Sequence, residues 1–142
     1  MSAALLLLAD ARFPTGAHAH SAGVEASHGR GDLRSMPDLV AFLDGRLRTV
    51  ARTEAAFTAA SCAHGDRRAE LDTELAARTP SPRLRKLSRS LGRQLLRPAG
   101  RAWPSPAYDE LRTVHPDGPM QPIALGAVAA AAGLSAEEAA LC

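Results

Sequence analysis

Leu39, Val40, Leu43, Leu47 and Val50 recur at helical spacing, a pattern that predicts a helix with one apolar stripe set against a core. Its start is written in "RSMPDLVAFLDGRLRTVAR". Ser35 suits the N-cap, Pro37 is tolerated in the first turn, and Asp38 occupies the reciprocal position of a capping box. The Ala-rich "TEAAFTAASCAHG" continues or follows that helix with Phe57 inward, and Gly65 marks a stop. Between Asp66 and Arg78 the charges alternate in sign around Leu71 and Leu75. That segment predicts an exposed amphipathic helix, closed by "TPSP". Another helix is predicted from about Pro82, where Leu84, Leu87, Leu91 and Leu95 lie three, four and four apart and basic residues take the other faces.

The flanks are less regular. "AALLLLA" near the N-terminus predicts one or two buried helical turns. A helix over about Ala19 to His28 would put Ala19, Gly23 and Ala26 on one face. Such a face of small residues admits another backbone closely, which would give a reason for a glycine that costs a helix about 1 kcal/mol relative to alanine. Pro14 and Gly16 before it form a rigid turn. "RPAGRAWPSPAYDELRTVHPDGPMQP" has a connector's content of Pro and Gly, with one short helix expected around Tyr108 to Thr113. "PIALGAVAAAAGLSAEEAALC" then gives an Ala-rich helix ending at Gly133 and a second capping box at Ser135 and Glu138. In the helix that follows this box, Ala139, Ala140 and Leu141 are expected to present an unpaired apolar edge.

Composition turns these elements into a fold class. With 142 residues, 46% hydrophobic and 4% aromatic, the chain can bury one core built from Leu, Ala and Val. Scarce β-branched residues and abundant Ala, Leu and Arg predict an all-α, single-domain bundle over residues 1–142. Charge is uneven: the net is +2, yet Arg83 to Arg101 holds seven basic residues and no acid, which leaves the remainder at −5. That asymmetry predicts a face for an acidic partner rather than a polyanion-binding surface overall. The apolar N-terminal run is too short to span a bilayer and has no basic residue before it, so neither a membrane span nor a signal peptide is expected. Two distant cysteines, Cys62 and Cys142, indicate no disulfide framework and suit a reducing cytoplasm.

Candidate chemistry is sparse. His18 and His20 form a His-x-His pair that His28 could join, but a metal site needs about three or four ligands in fixed geometry and no Glu-x-x-His or Cys-x-x-Cys accompanies them. They read as surface or loop histidines, with a metal contact as the alternative. Cys62 reads as a small buried hydrophobe, and its pairing with His64 as a ligand set is the weaker reading. The basic helix supports two readings, a surface on which Arg85, Arg89 and Arg93 grip carboxylates or a solvated face behind a Leu stripe. Arg93 is favoured by its place beside Gly92, while Ser88 and Gly92 share a face that permits close packing. Trp103 is expected to pin the connector to the core. A helical nucleic-acid-binding module using residues 83–101 is the competing function, opposed by the acidic remainder and the shortage of aromatics. Walker A, Gly-x-Ser-x-Gly and His-Glu-x-x-His motifs are absent from the sequence.

Three blocks together resemble the UreF family of urease accessory proteins. "LLLLADARFPTGAHAHSAGVE" resembles its opening, with Pro14, Gly16, Ser21, Gly23, Val24 and Glu25 at the motif positions. "SRSLGRQLL" resembles its Ser-x-x-x-Gly-Arg-x-Leu-Leu helix through Ser88, Gly92 and Arg93. "QPIALGAVAAAAGLS" resembles its Ala-rich helix. The chain departs from the pattern near Met120 and Gln121, where a His is common, and around Ala17 to Ala19, where an aromatic is common. The resemblance implies a helical bundle of about six to seven helices, incomplete at its C-terminus because members continue through further helices that carry dimer and partner contacts. It further implies a non-catalytic adaptor that forms a homodimer, binds UreD (UreH in some organisms), recruits the GTPase UreG and docks on apo-urease. On this reading nickel is handled by the assembly, and the chain has no cofactor of its own.

Overall fold

Residues 121–131 are rich in alanine and other apolar residues, and the helix they form is buried on nearly every side. In the computed structural model, which describes residues 2–10, 13, 21 and 23–142, the helical segments are α1 (Ala3–Ala9), α2 (Val24–Gly29), α3 (Met36–Arg46), α4 (Arg52–Ala63), α5 (Arg68–Ala77), α6 (Pro82–Ala102), α7 (Ala107–Val114), α8 (Gln121–Ala131) and α9 (Ala136–Ala140). The described residues are all-α and contain no strand. Ile123, Ala124, Ala127, Val128 and Ala129 of α8 all face protein, as a helix apolar all round must. Around it pack α4 and α6, while α9 lies against α4. Gly126 makes the α4 contact possible: a Cβ there would collide with the Thr58 carbonyl and come within 2.6 Å of the Ser61 Cβ. The Ser61 hydroxyl donates to the Ile123 carbonyl at 2.8 Å, which satisfies a fully buried polar group.

Both capping boxes form. The Ser35 hydroxyl accepts from the Asp38 amide while the Asp38 carboxylate accepts from Ser35, and Ser135 and Glu138 repeat the arrangement. α3 and α4 run on through a π-helical turn, Leu47–Ala51. The stripe expected to pack does not: Val40, Leu43 and Val50 are exposed, and Leu47 is 66% exposed. Its reason is positional. The substantial contacts of α3 are with the turn that continues it, whereas the core collects around α8 and meets only the α4 half of this long helix.

Further differences follow from tertiary packing. α6 continues through Pro98 to Ala102, where a connector was expected. Proline removes one helical hydrogen bond, but Leu95, Leu96 and Ala99 are fully buried on both sides of it and hold the helix together. Of the predicted leucine stripe, Leu91 and Leu95 enter the core while Leu84 stays exposed. The expected terminal apolar edge is covered in part, because Ala139 is buried in α9 while Leu141 remains exposed. In α1, Leu5 and Leu8 are buried, and Leu6 and Leu7 face outward. Trp103, the C-cap of α6, packs on Phe13 with ring centroids 5.7 Å apart and lies against the core, the contact expected of it.

Candidate functional site: a buried carboxylate beneath a basic groove

Asp72 lies on α5 beside Leu71 and one turn before Leu75, a position that turns its carboxylate into the protein. It is 0% exposed. A carboxylate so buried needs several donors. The Met120 amide donates to Oδ1 at 2.6 Å, and Arg89 Nη2 donates to Oδ2 at 2.8 Å. His115 Nδ1 stands 3.5 Å from the same Oδ2, and its buried Nε2 has no hydrogen-bond partner among the described residues. Arg89 also donates through Nη1 to the Gly118 carbonyl at 2.8 Å. One buried acid thereby ties α5, α6 and the 115–121 turn together.

The family-like block on α6 builds the other half of this clamp. The Ser88 hydroxyl accepts from the Gln121 amide at 2.9 Å, and Arg93 Nη1 donates to the Asp117 carbonyl at 2.9 Å. Between them Gly92 lies against the backbone of the turn, so that an added Cβ would collide with the Pro119 carbonyl oxygen and lie 3.1 Å from the Pro119 carbonyl carbon. Gly118 takes φ +99°, a left-handed conformation that side chains disfavour. Ser88 and Gly92 do permit a close approach, as their spacing predicts, but to a turn and the first residue of α8 rather than to a second helix.

The outer face of α6 is basic. Two open hollows, of about 390 and 270 Å³, run along it and share Arg93. Arg85, Lys86 and Arg89 line the first, while Arg97, Arg112 and His115 line the second. Of the three arginines expected to be able to grip carboxylates, Arg89 is engaged with the protein's own Asp72.

Other predicted site residues lie apart. Pro14, Gly16, His18, His20 and Ala19 fall outside the described residues. Ser21 and Glu25 mark the start of α2, where the Ser21 hydroxyl accepts from the Glu25 amide at 3.3 Å and Glu25 is exposed. Gly23 is not inside a helix as expected: it is the N-cap of α2 at φ +97°, and Ala26 is exposed, so a need for positive φ accounts for this glycine better than a face of small residues. His28 Nδ1 is 3.0 Å from the Leu33 carbonyl. The Cys62 thiol donates to the Leu134 carbonyl at 3.4 Å, and burial pushes its pKa up while Arg68 opposes. No group of three or more metal-ligating side chains occurs among the described residues. Sequence reasoning missed Asp72 and His115. The available signal for Asp72 was its place on the Leu71 and Leu75 face.

A helical protein whose α6 and α8 are joined through a Ser-Gly-Arg block and a Gly-Pro turn is the class this geometry defines. The model of the UreF family matches residues 33–142. Urease accessory protein UreF of Mycobacterium tuberculosis (strain ATCC 25618 / H37Rv) is 43% identical over 98% of this chain and 64% of its own length. The Mycobacterium marinum (strain ATCC BAA-535 / M) protein of the same name is 44% identical over 98% of this chain and 64% of its own length. The chain belongs to the UreF family of urease accessory proteins. It spans about two thirds of the length of these curated relatives, 64%. No solved structure matches it. No described helix is long and apolar enough to cross a membrane.

Proposed function

We propose that the chain acts in urease maturation as a non-catalytic cytoplasmic adaptor that binds UreD (or UreH), recruits the GTPase UreG, and helps place nickel in apo-urease. The observation that carries this reading is identity of 43% sustained over 98% of the chain with urease accessory proteins. Nickel is cargo of the assembly in this account, and the chain itself holds no cofactor. The contribution of this chain is then a shaped surface. Ser88, Gly92 and Arg93 keep the 115–121 turn against α6, and the opening residues Pro14, Gly16, Ser21, Gly23 and Glu25 belong to the partner-facing or structural part of the adaptor. Homodimerisation belongs to the same proposal.

Co-expression with UreD and UreG supplies the test. An affinity tag on this chain should retain UreD in stoichiometric amount, and UreG only when UreD is present. Retention of neither, with a full-length relative retaining both in parallel, would count against the adaptor role.

A further inference from the structure

The basic groove on α6 differs from an ordinary solvated face in how its cations are satisfied. Arg112 is paired with Asp109 at 2.7 Å, and Arg89 with Asp72. Arg85 and Arg93 are held differently. Arg85 Nη1 donates to the Thr79 and Pro80 carbonyls at 2.6 and 3.0 Å, and Arg93 donates to the Asp117 carbonyl. Main-chain carbonyls fix these guanidinium groups in place without neutralising their charge. Lys86 and Arg97 are exposed and have no ion pair among the described residues. Among the described residues, four cations without a carboxylate partner thus line two joined hollows whose one acidic lining residue is Asp117.

Pre-positioned charge of one sign in a concave wall is what an anionic ligand needs, because the Arg85 and Arg93 guanidinium groups are already ordered. The spacing narrows the ligand. Lys86, Arg93 and Arg97 lie along one side of α6, and a four-residue step on a helix advances about 6 Å, so Lys86 to Arg97 spans about 16 Å. Carboxylates at every fourth residue of a helix repeat at the same interval. We infer that the groove between α6 and the 115–119 turn is the docking site for a carboxylate-rich helical segment of a partner protein. Duplex nucleic acid fits less well, since the chain outside residues 83–101 carries a formal charge of −5 and would repel neighbouring phosphates. The inference deepens the adaptor reading and rests on it only for which protein supplies the segment.

Fluorescence anisotropy with a labelled, glutamate-rich helical peptide tests it on the purified chain. Two double variants of identical net charge are compared: Lys86→Glu with Arg97→Glu inside the groove, and Arg83→Glu with Arg101→Glu on exposed positions of α6 that do not line it. The groove variant should bind about tenfold or more weakly and the control within about twofold of the parent. A neutral pair, Lys86→Gln with Arg97→Gln, should fall between, and unchanged circular dichroism would show that all three retain the fold. Equal losses in the two charge-reversed variants, no binding by the parent at low salt, or tighter binding of a short DNA duplex would each overturn the inference. Because the peptide assay contains no urease component, failed co-purification with UreD bears on the adaptor role alone.

Discussion

Replacing Gly92 by alanine sets two physical effects against each other at one position. In an open helix interior the change stabilises by about 1 kcal/mol, since alanine loses less backbone freedom on folding. At Gly92 the new Cβ would meet main-chain atoms, colliding with the Pro119 carbonyl oxygen and standing 3.1 Å from the Pro119 carbonyl carbon and 3.3 Å from that of Met120. Backbone cannot swing aside as a side chain can. Overpacking of this kind costs about 1–3 kcal/mol. Displacing the turn also loosens its hydrogen bonds from Arg89 and to Ser88, worth about 0.5–1.5 kcal/mol when neutral and up to about 3 when charged. Gly92→Ala should therefore destabilise the chain by about 2–4 kcal/mol, read by urea unfolding followed through Trp103 fluorescence. Gly45→Ala in α3, where a Cβ meets nothing within 4 Å, is the control and should stabilise by about 0.5–1 kcal/mol. If both substitutions stabilise to the same extent, the close approach of α6 to the turn is wrong.

Asp72→Ala removes the acid that joins α5, α6 and the turn, and should cost about 3–5 kcal/mol in the same assay. A loss under about 1 kcal/mol would mean that Asp72 is solvated. Leu47→Ala should change stability by less than about 0.5 kcal/mol, whereas Leu95→Ala should cost about 2–5 kcal/mol; similar losses at the two would place the α3 stripe in a core after all. Burial holds the Cys62 and Cys142 thiols above the ordinary 9.0, so at pH 8 both should react with iodoacetamide more slowly than in the urea-unfolded chain. The sign for stability follows: the contribution from these raised thiols is full below pH 9 and is lost as pH rises through their folded values, so a urea midpoint that climbs above pH 9 would contradict it.

Helix boundaries set by local chemistry were legible in the sequence. Ser35 with Asp38 and Ser135 with Glu138 cap the helices they were expected to cap, because a capping box is closed by neighbours three residues apart. Gly133, at φ +76°, follows α8 where a stop was expected. What depended on distant partners was not legible. Charge alternation around Asp72 reads as a solvated helix until α6 supplies Arg89 and the turn supplies the Met120 amide. Periodicity alone finds an apolar stripe on α3 but cannot tell whether another element lies along it. Pro98 marks a helix end by local rules, yet buried neighbours on α6 carry the helix past it. The Ser88, Gly92 and Arg93 block was visible as a motif, while its target, the backbone of residues 117–121, came from the fold.

If this chain performs the proposed accessory step in urease maturation, the metal content of urease reports it. Urease purified from cells whose operon lacks the UreF gene, but which express this chain, should contain nickel well above the empty-vector background, with activity rising in proportion. Nickel at background, with the chain abundant and a full-length relative restoring loading alongside, would contradict the account.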